Sequence, residues 1–320
     1  MTFLMLLKRL LLVLAVTLLV FAIAGVAATW APDKSVQDLQ ARWAATPSLF
    51  IKVDGIDVHV RDEGPRDDPL PLILLHGTSD SLHTWQEWTD QLKGRHRVIR
   101  MDLPAFGLTG PSASGDYSVD AYTRFVIALA DALGVSHFTL GGNSLGGQIA
   151  WATAAAYPQR VKKLILVDAA GYPLAPKSIP IGFQIARTPG IRGLMDYVLP
   201  RGLVASSVRN VYARPERVTP ALVDRYYDLT LRQGNRQALT LRFDAIQKED
   251  KAKDRVTIRS LKQPTLILWG AMDRLIPVDH AHRFNADIAG SKLVVFEDVG
   301  HLPQQEDAAR TVGVVQQFLM

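Results

Sequence analysis

The chain has 320 residues, 48% of them hydrophobic and 21% charged, a balance that excludes a disordered or collagen-like chain and supplies a full hydrophobic core. It contains no cysteine, which removes disulfide frameworks, thiolate metal centres and cysteine nucleophiles. The net charge of +5, from 36 basic against 31 acidic residues, is too small an excess to argue for a nucleic-acid partner without a motif, and none is expected.

The chain opens on an apolar run. Residues 10–28 carry no charge, and as a helix they reach about 28 Å, the thickness of one hydrocarbon core. Lys8 and Arg9 precede the run, so the positive-inside tendency holds that end in the cytoplasm and sends the rest of the chain to the outer, periplasmic or extracellular, side. Residues 1–29 are read as a membrane anchor. A cleaved signal peptide, with Val26 and Ala28 as its small residues, is the alternative and would make the chain secreted, but its apolar stretch normally spans about 7–15 residues. Residues 30–47 read as a polar linker.

From there, apolar runs rich in β-branched residues alternate with segments of helical period, the pattern of a largely parallel sheet covered by helices. Strands are predicted at 49–53, 56–61, 71–75, 97–102, 138–141, 164–168, 265–269 and 292–296, and helices at 83–92, 119–133, 145–156, 278–288 and 306–319. Asp54-Gly55 between the first two strands favours a two-residue hairpin, so the sheet should open antiparallel and continue parallel. The alternation breaks over 172–260, where helical spacing and six prolines indicate a helical insertion. That segment holds 16 Lys and Arg against 8 Asp and Glu, a balance of +8, so the basic excess of the chain belongs to it. The expected organisation is a core in two parts, 48–171 and 261–320, with a helical cap or lid at 172–260.

The sharpest local signal is Gly142-Asn143-Ser144-Leu145-Gly146, after a predicted strand and before an alanine-rich helix. In that setting the Gly-x-Ser-x-Gly turn lifts a serine hydroxyl clear of the sheet. A serine nucleophile needs a base, and the base needs a carboxylate to orient it. His301, in the loop between the last strand and the last helix, is the candidate base. Two strands end in an aspartate loop, Asp273 and Asp168; Asp273 is preferred as the acid because it follows the strand next to the one preceding His301, leaving Asp168 to cap the strand end or shape the entrance to the insertion. The oxyanion donors are expected at the N–H of Leu145, in the elbow, and of Thr78, in the loop containing His76-Gly77.

These motifs, together with Asp102-Leu103-Pro104-Ala105-Phe106-Gly107, occur in an order and spacing that resemble the α/β-hydrolase superfamily from about residue 49 to the end, and within it the bacterial family V carboxylesterases and lipases and the hydrolases of ring-fission products. Ala105 stands where those relatives usually carry glycine. The resemblance implies an eight-stranded, mostly parallel sheet with a lid inserted after strand 6. It also implies a serine hydrolase of carboxylic esters that works through an acyl-enzyme with no metal or organic cofactor; the His76-Gly77-Thr78 loop, in place of a run of three glycines, and the enclosing lid add an expected preference for short to medium acyl chains. The alternatives are a carbon–carbon bond hydrolase and a non-catalytic member of the fold. A small-molecule ester and the membrane are the expected partners, the latter through the anchor and, at its anionic headgroups, through the basic lid.

Overall fold

The computed structural model describes residues 2–320. It begins with one long helix, α1 (Thr2–Ala28), which among the described residues is the helix long and apolar enough to cross a membrane; its most apolar window is wholly exposed. A core helix would be covered, and α1 has instead the length, composition and exposure of a membrane anchor or a signal sequence.

The next residues differ from the expected linker. Ser35 caps a short helix, α2 (Val36–Trp43), by accepting from the Asp38 N–H, while the Asp38 carboxylate accepts from the Ser35 N–H. This Ser-x-x-Asp reciprocal cap was readable in the sequence, but what fixes the segment in place is distant. Lys34, Arg42 and the indole N–H of Trp43 converge on Asp228 at 2.7, 3.0 and 3.1 Å. Ala31 is buried in the apolar core of the insertion. The segment is a strap, fastened to residues about 190 positions away.

The eight strands lie close to their predicted positions. β1 (Ser48–Val53) and β2 (Ile56–Glu63) form a hairpin through Asp54 and Gly55, both at positive φ as a two-residue turn requires. β3 (Leu72–Leu75) is followed by a 3-10 turn at Leu82–Trp85 and α3 (Gln86–Leu92), then β4 (Val98–Met101), α4 (Val119–Ala132), β5 (Phe138–Asn143), α5 (Leu145–Ala156) and β6 (Val161–Val167). The insertion follows as α6 (Ile181–Arg187), α7 (Arg201–Val211), α8 (Pro220–Thr230), α9 (Asn235–Ile246) and α10 (Lys251–Arg259). Prolines 180, 200 and 220 stand at helix starts, where a missing N–H costs nothing. The chain closes with β7 (Thr265–Gly270), α11 (Asp279–Asp287), β8 (Lys292–Phe296), α12 (Pro303–Glu306) and α13 (Ala308–Leu319). The single helix predicted over 306–319 is divided because Asp307 leaves the helical region and caps α13 through Arg310 N–H.

The sheet order is β1-β2-β4-β3-β5-β6-β7-β8, with β2 antiparallel to both its neighbours and all other pairs parallel. The central strands β3, β5 and β7 are buried along their whole length, as near-continuous apolar runs in a parallel sheet must be. One apolar cluster joins the sheet to α4, α5 and α11 through Val126, Ile149 and Phe284, and a second joins it to α3 and α13 through Trp88, Val312 and Val315. Both faces are thus covered, and what remains open is the carboxyl edge, over which the insertion lies.

Candidate active site

Ser144 occupies the one residue between β5 and α5, at φ 56° and ψ −115°. A side chain in that left-handed region is strained, and the glycines two residues to either side allow the turn because they carry none. A Cβ on Gly142 would lie 2.2 Å from the Gly146 carbonyl, and one on Gly146 would lie 2.2 Å from the Leu75 carbonyl oxygen. Leu145 opens α5, so its N–H has no acceptor within the helix. Thr78 and Ser144 line one cavity with His301 beneath the insertion, and this cavity brings together the predicted nucleophile, base and second oxyanion donor.

His301 lies in the loop between β8 and α12, buried, with its Nδ1 2.6 Å from Asp273 Oδ2. Asp273, in the loop after β7, has its other oxygen fixed by the N–H groups of Leu275 and Ile276 at 2.8 and 3.0 Å. One carboxylate oxygen therefore holds the loop and the other holds the imidazole, which leaves Nε2 as the nitrogen available for proton transfer.

Asp168 stands at a strand end, as expected, and accepts there from a backbone N–H, but its carboxyl faces the site rather than the insertion. It follows β6 at φ 43°, fully buried, and turns its carboxyl toward the other two groups. One oxygen or nitrogen from each of Asp168, Asp273 and His301 falls within 4.8 Å of the others. Its Oδ1 accepts from the Gly270 N–H at 3.1 Å, and its Oδ2 meets no donor. Burial, and then the charge of Asp273, push the Asp168 carboxyl well above the usual carboxylate range. These three residues are the cluster with metal-ligand chemistry among the described residues, yet the imidazole nitrogen facing Asp273 is already engaged by it. The arrangement is that of an oriented base.

Several supporting residues escaped the sequence reading. Asn143 donates through Nδ2 to the carbonyls of Val167 and His301, at 3.2 and 3.0 Å, tying the base loop to the elbow. The His301 N–H donates to the Val211 carbonyl of α7 at 2.9 Å, so the insertion itself holds the base. Glu306 accepts from Gly300 N–H and Ala213 N–H at 2.9 and 2.8 Å; burial pushes its carboxyl above the ordinary range. Beneath the Thr78 loop, Asp102 accepts from Leu82 N–H, Leu108 N–H and His59 Nδ1 at 2.7 to 2.8 Å. Burial alone would raise this carboxyl, but the facing His59 holds it well below the usual range. His76, the histidine of His-Gly, accepts from Leu103 N–H through Nε2 at 2.9 Å and so joins the loops after β3 and β4. These contacts run between loops far apart in sequence, which is why periodicity and motif spacing did not reveal them.

The cavity is lined mainly by the insertion, including Phe183, Met195, Leu203, Val208 and Leu239. Its charged or polar lining includes Asp80, Tyr226 and Ser207, with no lysine or arginine among the described residues. Many insertion arginines are already paired with acids: Arg192 with Asp244, Arg201 with Asp224, Arg236 with Asp33 and Arg242 with Glu249.

Residues 71–308 match the protein family described as the alpha/beta hydrolase fold. The chain is 29% identical to the 2-hydroxy-6-oxo-2,4-heptadienoate hydrolase of Pseudomonas putida over 84% of this chain and 95% of that protein. It is 30% identical to Lipase 3 of Moraxella sp. over 78% of this chain and 76% of that protein. Among solved structures it is similar to a membrane phospholipase A described as a bacterial virulence factor, with a TM-score of 0.69 and 25% identity over 98% of each chain.

Proposed function

The chain belongs to the alpha/beta hydrolase family, and on that premise we propose that it is a serine hydrolase of carboxylic esters whose site works at a membrane surface. Ser144 Oγ attacks the ester carbonyl as His301 Nε2 takes its proton, and the N–H groups of Leu145 and Thr78 receive the oxyanion. His301 then gives the proton to the departing alkoxide, leaving an acyl group on Ser144. Water, deprotonated by the same nitrogen, attacks the acyl carbonyl, and the acid leaves as Ser144 regains its proton. Asp273 orients His301 throughout.

The observation that carries the ester reading over carbon–carbon cleavage is the cavity lining. A dienoate substrate of the kind named for the Pseudomonas relative bears a carboxylate, and burying that charge without a cationic partner is costly. Phe183, Met195 and Leu203 suit an uncharged acyl chain, and the acid on the wall, Asp80, is already paired with Arg225 at 3.9 Å.

The membrane reading rests on how α1 ends. Thr29 and Ala31 pair their backbones with Leu199 and Tyr197, and the Trp30 ring stacks on Tyr197 at 5.6 Å. Trp30, Ile191, Leu194 and Tyr197 are all about half exposed, while Met195 and Leu199 between them line the cavity. The insertion beside the cavity is thus held at the end of the anchor with an apolar collar turned outward. With several arginines neutralised by acids, this collar is the stronger lipid contact and the basic charge a lesser one. Lys8 and Arg9 before the apolar run support an outer-side catalytic domain through the positive-inside tendency. Enclosure beneath the insertion favours short to medium acyl chains. The test is a series of p-nitrophenyl esters from acetate to palmitate beside a ring-fission dienoate. Ser144-dependent turnover of the esters, peaking at or below about eight to ten acyl carbons and far exceeding the dienoate, is expected; preferred dienoate cleavage would reject the ester reading.

A further inference from the structure

We infer that Asp168 carries a proton at neutral pH and donates it in a hydrogen bond to the Asp273 carboxylate, making it a positioning residue that tempers how strongly Asp273 holds His301. The inference rests on the reading of His301 as base and Asp273 as its orienting acid.

The hydrogen-bond inventory points to this. Both carboxyl groups are fully buried, and oxygens of the two fall within the same 4.8 Å cluster as His301. Asp273 accepts from two backbone N–H groups and from the imidazole. Asp168 accepts from one N–H, that of Gly270, and its Oδ2 has no donor. Two ionised carboxylates so placed would repel in a site that excludes water, and an orphan buried carboxylate oxygen is costly. A proton between them removes both penalties. It resides on Asp168, because the three donors around Asp273 stabilise that group's charged form while Asp168 has one. The backbone shows that the placement is held rather than incidental: Asp168 sits at φ 43°, its N–H donates to Leu268, and the chain two residues on returns a bond from Ala170 N–H to the Ser144 carbonyl at 3.1 Å.

The remaining ionisable groups facing the pair do not supply a positive charge in its place. Glu306, from α12, is acidic and adds repulsion. His280, from α11, is held toward its neutral form by burial and by Arg283. His301 already directs its Nδ1 to Asp273.

The two charge states of Asp168 make opposite predictions for the acid limb of the kcat/KM profile of the full-length protein. Asparagine tolerates positive φ and keeps a donor toward Asp273 without charge, so Asp168→Asn should leave that limb within about 0.3 pH unit of the parent and cost about threefold or less in kcat. Glycine suits the same φ but removes the donor. Asp168→Gly should concentrate charge on the Asp273 oxygen facing His301, move the limb to higher pH and lower kcat about tenfold with little change in KM. If Asp168 is ionised instead, both variants delete a negative charge near His301 and the limb moves to lower pH in both. If it serves only the fold, the limb moves in neither. Either pattern overturns the inference. Infrared difference spectra at pH 7 provide a readout independent of turnover: the carbonyl stretch of a protonated buried carboxyl should be present in the parent and lost in Asp168→Asn, and its absence from the parent also overturns the inference. Loss of all Ser144-dependent turnover in the parent, with that band retained, would instead reject the functional reading and leave the carboxyl pair standing.

Discussion

The carboxyl edge of the sheet and the insertion above it are held together by different physics. At the edge, placement comes from backbone. Ser144, Asp168 and Ala105 all take positive φ, at 56°, 43° and 84°, and glycines without room for a Cβ surround the elbow. In the insertion and its strap, a few backbone pairs such as Ala31 N–H with the Tyr197 carbonyl are joined by many side-chain contacts: ion pairs such as Arg201 with Asp224, the convergence of Lys34, Arg42 and Trp43 on Asp228, and an apolar cluster that takes in Ala31. Backbone constraint fixes reacting atoms closely, as nucleophilic catalysis demands. Side-chain contacts can be exchanged, which suits a cover that must admit a substrate. The chemistry and the access to it are thus assigned to parts of different stiffness.

The largest test of this contrast sets two aspartates at the rigid edge against each other. Asp273→Asn should lower kcat/KM by about 10³-fold or more, through loss of the oriented imidazole, whereas Asp168→Asn should cost about threefold or less. Steady-state kinetics on a short ester decide between them, and the reverse order of damage would make Asp168 the acid.

A smaller effect separates anchor from strap. Removing residues 1–28 leaves Thr29, Trp30 and Ala31 on the insertion, and the product should be soluble, with rates on short esters within about twofold of the full chain in detergent, because no catalytic group is lost. Removing residues 1–47 also takes away the partners of Asp228 and part of the insertion core. That product should unfold several degrees earlier, because a buried acid is left without its cations. Thermal denaturation of the two products measures the difference, and equal melting temperatures would mean that the strap contributes nothing to the cover.

Next is the pH dependence of stability. The folded state raises the Asp168 carboxyl, so above about pH 4, the ordinary aspartate value, the folded chain binds the proton more tightly than the unfolded chain. Stability from this group therefore falls as pH rises toward the raised value, by up to about 1.4 kcal/mol per pH unit. Asp168→Asn removes that decline, so its stability relative to the parent should improve between pH 5 and pH 7 in urea denaturation. An unchanged difference across that range would contradict a raised carboxyl.

The smallest effect is strain relief at Ala105, whose side chain sits at φ 84°. Ala105→Gly should stabilise the chain by about 1 kcal/mol, offset in part by greater freedom of the unfolded state, again read by urea denaturation. A destabilised variant would show that the methyl packing outweighs the strain.

Legibility in the sequence follows the same division. All eight strands were predicted within a few residues because buried parallel strands are short apolar runs that need no distant partner to be recognised. Ser144, Asp273, His301, Leu145 and Thr78 could be proposed as a site from sequence because strand-to-helix loops at one sheet edge converge whatever the lid does, and Thr78, Ser144 and His301 do share one cavity. The role of Asn143, the link from Glu306 to Ala213 and the turn of Asp168 toward Asp273 could not be read, since each depends on loops more than 90 residues apart, or on a side-chain direction that the strand-end position leaves open. The strap was half legible: Ser35 and Asp38 announce a helix start, but nothing local announces Asp228.

The central claim, a serine nucleophile at the elbow, is tested most directly by labelling the full-length protein in detergent with a fluorophosphonate and locating the adduct by peptide mass spectrometry. A single adduct on Ser144, absent from a folded Ser144→Ala variant whose ester turnover has dropped by about 10³-fold or more, is predicted. Labelling that persists in that variant, or that falls on another residue of the parent, would contradict it.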